Sequence, residues 1–298
     1  MSDSLPDKLS RSWLLFRTSL QVIRDNPKLL LFPVVTAVCT GVIMLFFFAP
    51  ALLYRSGQPL GQAAHWETLG RRAAHPTGYF YGYLAVVYLT SMFLATFFNA
   101  AFYNEILKAL AGDPVSIRSG LASAWSRVHS ILMWSLLAGT VGLIIKALEE
   151  RFGWIGRWAL KFVGVVWSVA SIFAIPVIIR EGTTNPFSLL RQSAGILRKT
   201  WGESLAGYVG IAAGSWLLLL GSLLFLGLTV GGAIALDLPL LAVGAALLWL
   251  AALLVVSYLA TVAGHVYRCA LYVYASEGVV PAPYTPALMD AAWKIKKA

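Results

Sequence analysis

Charged residues are scarce in this chain of 298 residues. Asp, Glu, Lys and Arg together make up 12% of it, whereas soluble domains carry about 25%. This scarcity excludes an ordinary soluble globular protein, because too few charges are available to cover its surface. With 59% hydrophobic residues, the composition predicts an integral membrane protein.

Cysteine and catalytic motifs are equally rare. Cys39 and Cys269 are the two cysteines, and one pair in apolar surroundings is no disulfide framework. We find no GxSxG, HExxH or P-loop motif. The pattern formed by His65, Glu67 and His75 is too weak to predict a metal site. The sequence therefore predicts no catalysis, no cofactor and no metal.

Long apolar stretches, by contrast, are abundant. Six stretches free of Asp, Glu, Lys and Arg are each long enough to hold a spanning helix of about 20 residues. They predict an all-α polytopic membrane protein with six transmembrane helices, formed by a single membrane domain over residues 1–298. The predicted spans are residues 29–53, 79–104, 129–148, 160–179, 204–230 and 240–267.

The distribution of basic residues predicts the orientation. With six spans, 16 of the 23 Lys and Arg residues fall on the side that holds both termini. Because cytoplasmic loops carry the excess of Lys and Arg, we expect the N- and C-termini to be cytoplasmic and the membrane to be the cytoplasmic membrane. The basic residues follow membrane-flanking segments, which favours anionic phospholipids of the inner leaflet over nucleic acid as the partner.

The segment at 187–200 is too short and too basic to be a span. On a helical wheel its apolar residues form one stripe, and Arg191 and Arg198 lie at the border of that stripe, with Lys199 beyond them. The stripe consists of Phe187, Leu190, Ala194, Leu197 and Trp201. This pattern predicts an amphipathic helix that lies in the membrane interface with its stripe in the acyl boundary.

The same design occurs three times along the chain. A shift of 174 positions places Arg191 on Arg17, Ser193 on Ser19 and Arg198 on Arg24, within a predicted helix at 9–25. A weaker copy at 115–127 retains Arg118 but has Trp125 where the second arginine would stand. We predict three interfacial helices on the cytoplasmic side. Their candidate lipid-headgroup ligands are Arg17, Arg24, Arg118, Arg191, Arg198 and Lys199.

Three strings in this sequence resemble an uncharacterised family of prokaryotic six-span membrane proteins. They are "IPVIIREGTTNPFSLLRQSAGILRKTWGESLAG", "SWLLFRTSLQVIRDNPKLLLFPV" and "ATFFNAAF". The layout is more loosely similar to the membrane domain of some glycerophosphodiester phosphodiesterases. The resemblance implies a fold and a membrane location. It implies no activity, because the catalytic domain of those enzymes has no counterpart here.

A few polar residues fall within or beside the predicted spans. Asn99, Asn104 and Glu105 form a candidate intramembrane polar site, although hydrogen bonding between helices is the simpler interpretation. GxxxG spacings at 210–214 and 227–231 predict close helix packing within the chain and leave a homo-oligomer open. Two hypotheses follow: a non-catalytic, lipid-interacting or membrane-organising protein, and alternatively a permease for a small solute or lipid.

Overall fold

The computed structural model describes residues 5–52, 78–200 and 205–292, together with residues 62, 63 and 67. Within these ranges, the side chains at 5–12, 48–52, 78–80, 155, 157, 199–218, 291 and 292 lie outside this description. The described part is all-α, as predicted, and contains no strand. Its helices are α1 (Leu5–Asp25), α2 (Leu31–Leu52), α3 (Gly78–Ala111), α4 (Ile117–Ser126), α5 (Val128–Arg151), α6 (Trp154–Ala170), α7 (Ala174–Glu181), α8 (Pro186–Thr200), α9 (Leu205–Ala235), α10 (Pro239–Glu277) and α11 (Pro286–Ala292).

Five segments are long and apolar enough to cross a membrane. They are Pro27–Phe47, Tyr81–Ala111, Val128–Arg151, Trp158–Glu181 and Pro239–Glu277. Large apolar side chains along them are exposed, as a lipid-facing surface requires. The chain is therefore a multi-pass membrane protein. The remaining predicted span, 204–230, falls in α9, whose side chains are described only from residue 219 onward, and it stays a prediction.

The fourth span, predicted at 160–179, consists of two helices. α6 ends at Ala170 and α7 begins at Ala174, with a turn at 171–173 between them. The sequence predicts a kink at Pro176, but the interruption precedes that residue. Pro176 instead occupies the first turn of α7, where its missing N–H removes no intrahelical hydrogen bond.

The described chain divides into two compact units. Unit 1 comprises Met1–Leu29, Ile106–Val115 and Gly195–Ala298, and unit 2 comprises Leu30–Glu105 and Ser116–Ala194. In unit 1, α1 packs against α9, α10 and α11, and α9 also packs against α10. In unit 2, α5 packs against α4 and α6, and the rings of Trp134 and Trp167 stack at 6.1 Å between α5 and α6.

Burial is concentrated at the C-terminal end of α10 within unit 1. Val262, Val266 and Cys269 are fully buried, whereas Leu240 and Leu248 are 88% and 74% exposed. With 39 residues, α10 is about 58 Å long, roughly twice the hydrocarbon thickness. One end of this helix can therefore extend beyond the lipid and pack against protein, while the other end crosses the bilayer.

Candidate functional site

Two of the predicted interfacial helices expose the same combination of side chains. Trp13 on α1 and Phe187 on α8 are 65% and 67% exposed. Arg17 and Arg191 follow them by four residues and are also exposed. Because residues four apart lie on the same face of a helix, each helix presents an aromatic ring beside a guanidinium group. We refer to these two pairs as the aromatic–arginine faces.

The opposite side of each helix is buried in protein. Leu15, Ser19 and Ile23 are buried on α1, and the equivalent residues on α8 are buried as well: Leu189, Ser193 and Leu197. The prediction that the whole apolar stripe enters the lipid is therefore wrong at Ile23 and Leu197. These two side chains lie at the edge of the stripe that borders the buried side of each helix, which we call the docked side. Packing against protein there removes them from lipid and water.

Ser19 fixes α1 to the C-terminal segment within unit 1. Its hydroxyl donates to the carbonyl of Leu15 and lies 2.8 Å from the hydroxyl of Tyr284, a residue 265 positions away. Burial raises the pKa of the Tyr284 phenol, which therefore stays protonated near neutral pH. This contact favours one orientation of α1, because the buried Tyr284 hydroxyl would otherwise lose its hydrogen bond with Ser19.

Ser193 plays the equivalent part on α8 within unit 2. Its hydroxyl oxygen accepts a hydrogen bond of 3.1 Å from the backbone N–H of Phe173, and both residues are fully buried. Phe173 lies in the turn that interrupts the fourth span, so its N–H is a group that the helix break releases. Helix α8 thus supplies an acceptor for a backbone N–H that the interrupted span leaves without a helical partner.

The third predicted interfacial helix, α4, also has a buried docked side, but its exposed side carries different residues from those of α1 and α8. Gly120 and Ala124 are buried at the positions equivalent to Ser19 and Ile23. Arg118 is exposed. Trp125, in the place of the second arginine, is 70% exposed and packs edge-on against Phe97 at 6.4 Å. This copy therefore has one arginine in place of two.

All five candidate headgroup ligands whose side chains are described are exposed to the surroundings. They are Arg17, Arg24, Arg118, Arg191 and Arg198. The side chain of Lys199 lies outside the described residues. Arg17 and Arg24 also line a groove of about 380 Å³ on α1, together with Leu20, Gln21 and Asp25.

A separate polar cluster joins α3 to α4 and contains two of the three residues of the candidate intramembrane polar site. The fully buried Glu105 carboxylate accepts hydrogen bonds from the Asn104 amide at 2.9 Å, the Ser116 backbone N–H at 2.7 Å and the Ser119 hydroxyl at 2.6 Å. The Asn104 amide oxygen accepts from Ser123 at 2.9 Å. Three hydrogen bonds to one carboxylate replace the water it loses on burial.

Asn99 does not belong to this cluster. It is half-buried on α3, and among the described residues no hydrogen bond connects it to Asn104 or Glu105. Sequence reasoning missed two serine hydroxyls of α4 as partners of this cluster: Ser119 donates to Glu105 and Ser123 donates to Asn104. A signal was available in "SGLAS", where Ser119 and Ser123 lie four residues apart on one helix face.

The remaining sequence predictions have mixed outcomes. Cys39 and Cys269 form no disulfide bond. The prediction of close packing within the chain is wrong at Gly227 and Gly231, since a methyl group added there would meet no described atom within 4 Å. The spacing at 210–214 lies among side chains that are not described. His65 and His75 lie outside the described residues.

Comparison with known proteins places the chain in a family. The model of a family of unknown function, DUF6159, matches residues 79–281, about two thirds of the chain. The chain belongs to this family. The match agrees with the predicted membership of an uncharacterised family, while the looser similarity to glycerophosphodiester phosphodiesterases stays a prediction. No curated protein and no solved structure matches the chain.

DUF6159 itself assigns no activity, so function must be argued from the residues. The matched region contains α8 and α4, including Arg118, Arg191 and the Glu105 cluster, whereas α1 precedes it. Helix α1 repeats the design of α8: similar residue types are buried at the equivalent positions of its docked side. We therefore treat α1 and α8 as equivalent helices.

Proposed function

We propose that this DUF6159 protein is a non-catalytic protein of the cytoplasmic membrane that binds anionic phospholipids of the inner leaflet through its aromatic–arginine faces. The observation that carries the proposal is the repeated exposure of Trp13 beside Arg17 and of Phe187 beside Arg191. Both pairs lie on helices whose opposite faces are held by protein.

The chemistry of each face suits the membrane interface. The indole of Trp13 suits the headgroup level, where its apolar body and its N–H are both satisfied, and the apolar ring of Phe187 suits the acyl boundary beneath it. A guanidinium group can bind a phosphate with two parallel hydrogen bonds. Since Ser19 and Ser193 anchor the two helices, the faces are held in place before lipid binds, which lowers the entropy cost of binding.

Charge reversal tests the proposal. The full chain is released gently from its membrane, and retained lipid is identified by native mass spectrometry for wild type and for the double variant Arg17→Glu, Arg191→Glu. We expect the affinity for phosphatidylglycerol to fall by more than roughly fivefold for each reversed arginine, since loss of a basic residue at an anionic surface costs about 1 kcal/mol and the new carboxylate adds repulsion.

Reversal at Lys146 and Arg151 is the matched control. Both residues are exposed near the C-terminal end of α5, and they belong to the side that the charge distribution predicts to be external. The control variant should retain lipid as wild type does. Equal lipid retention by wild type and by the Arg17→Glu, Arg191→Glu variant would contradict the proposal.

A permease is the second candidate, and the interrupted fourth span favours it. Discontinuous spanning helices form the substrate sites of many transporters. The turn at 171–173 is such an interruption, but the Phe173 N–H is already bonded to Ser193 and is fully buried. Flux into liposomes that is lost in Asn99→Leu would support a permease. Absence of flux for every member of a broad panel of solutes would contradict the permease hypothesis.

A further inference from the structure

The groove on α1 differs in charge from the equivalent part of α8. Its described lining residues include two guanidinium groups, Arg17 and Arg24, and one carboxylate, Asp25. At the positions equivalent to Gln21 and Asp25, the second copy has Gly195 and Lys199. The two copies share their arginines, but only the first adds a negative charge and a side-chain amide.

The carboxylate is not accounted for by the fold. Asp25 is exposed as the last residue of α1, where the helix dipole disfavours a negative charge. Within the described residues no ion pair to Asp25 is found. A phosphate held by Arg17 and Arg24 would bring a second negative charge close to this carboxylate. A ligand that also carries a positive group removes that conflict.

We infer that the α1 groove binds a phosphodiester headgroup that also bears a primary ammonium, as in phosphatidylethanolamine. The phosphate lies against Arg17 and Arg24, the ammonium donates to Asp25, and the Gln21 amide donates to a phosphate oxygen. A quaternary ammonium such as choline fits less well, because it has no N–H to donate. This inference rests on the proposed function and changes it at α1: the α1 face prefers a zwitterionic lipid, whereas the α8 face keeps the anionic one.

The source of the headgroup is a lipid rather than a soluble phosphate ester. Leu20 lines the groove, and the exposed Trp13 and Leu14 lie one to two turns before it on the same helix. Acyl chains can cover these apolar side chains, whereas a soluble ester would leave them in water. The volume of about 380 Å³ accommodates a headgroup and leaves the chains outside.

Competition between lipids tests the inference. The full chain carries Arg118→Glu, Arg191→Glu and Arg198→Glu, so that α1 keeps the only candidate headgroup arginines among the described residues. It is placed in mixed nanodiscs of phosphatidylethanolamine, phosphatidylcholine and phosphatidylglycerol. Native mass spectrometry then gives the retained ratios. We expect phosphatidylethanolamine to be enriched over both other lipids, and Asp25→Asn to lower that enrichment about threefold, the size of an exposed charge pair.

Two further variants keep the result interpretable. Asp25→Glu keeps the carboxylate and should keep the enrichment, whereas Asp113→Asn, at an exposed aspartate in the α3–α4 connection, should change nothing. If phosphatidylethanolamine is enriched equally with and without Asp25→Asn, the inference is overturned and the proposed function still stands. Loss of all lipid retention in every variant, including wild type, overturns both. If soluble glycerophosphoethanolamine binds as tightly as phosphatidylethanolamine, the claim that the ligand is a lipid is overturned.

Discussion

At the scale of single residues, Ser19 and Ser193 hold α1 and α8 in place through buried hydrogen bonds with Tyr284 and with the backbone N–H of Phe173. The repeat aligns Ser193 with Ser19, so an equivalent role was foreseeable. Their partners were not, because the Phe173 N–H becomes available only through the break in the fourth span, and Tyr284 is 265 positions from Ser19. Hydrogen bonds between distant residues depend on tertiary packing, which periodicity does not encode.

Glu105 gives the clearest prediction at this scale. In Glu105→Gln the new amide replaces one acceptor oxygen with a donor, although Ser116, Ser119 and Asn104 all donate to the carboxylate. We expect the folded state to lose about 2 kcal/mol, the usual size of a hydrogen bond to a charged group. Thermal unfolding in detergent measures the loss.

Glu150→Gln serves as the control because Glu150 is exposed near the end of α5. Its melting temperature should match that of wild type within error. If the two glutamine variants unfolded at the same temperature, the Glu105 cluster would have no stabilising role.

At the scale of helices, α4 depends on a close approach to α3. A Cβ added at Gly120 would lie 2.8 Å from the Ala101 carbonyl oxygen and 2.9 Å from the Glu105 Cγ. Backbone atoms cannot move aside as a flexible side chain can. We therefore expect Gly120→Ala to destabilise the protein by about 1–3 kcal/mol through overpacking, as measured by thermal unfolding.

Gly164→Ala provides the opposite expectation in another helix. An added methyl group at Gly164 of α6 meets nothing described within 4 Å, and alanine favours a helix by about 1 kcal/mol over glycine. This variant should be neutral or slightly more stable. A Gly120→Ala protein that gained stability as Gly164→Ala does would refute the close packing of α3 and α4.

Helix identity followed well from the sequence, and helix boundaries less so. Apolar length predicted α2, α3, α5 and α10, because a spanning helix must satisfy its backbone internally. α3 and α10 nevertheless run to Ala111 and Glu277, past the predicted ends at 104 and 267. Charged residues mark where a helix leaves the lipid but do not mark where it ends, since these extensions pack against protein.

The orientation of the whole molecule is open to a direct test. Gln62 lies between α2 and α3, Asp113 lies between α3 and α4, and both are exposed. The charge distribution predicts that cysteines at these two positions lie on opposite sides of the membrane. An impermeant thiol reagent added to intact cells should label Gln62→Cys, and Asp113→Cys only after permeabilisation. Labelling of both in intact cells would overturn the predicted topology.

The depth of the aromatic–arginine faces in the bilayer decides whether they can bind lipid headgroups. Gln21 and Gly195 are equivalent exposed residues on α1 and α8, so spin labels at Gln21→Cys and Gly195→Cys report each helix without removing an arginine. Both labels are placed in a Cys39→Ala, Cys269→Ala background, with Val165→Cys on the exposed side of α6 as an acyl-depth reference.

Collision with oxygen and with a water-soluble nickel complex then gives the depth of each label. We predict that both labels lie at the headgroup level, about 15 Å or more from the bilayer centre, while the Val165 label lies within the acyl chains. Labels at 21 and 195 that sit free in water, or at the depth of the Val165 label, would contradict the account.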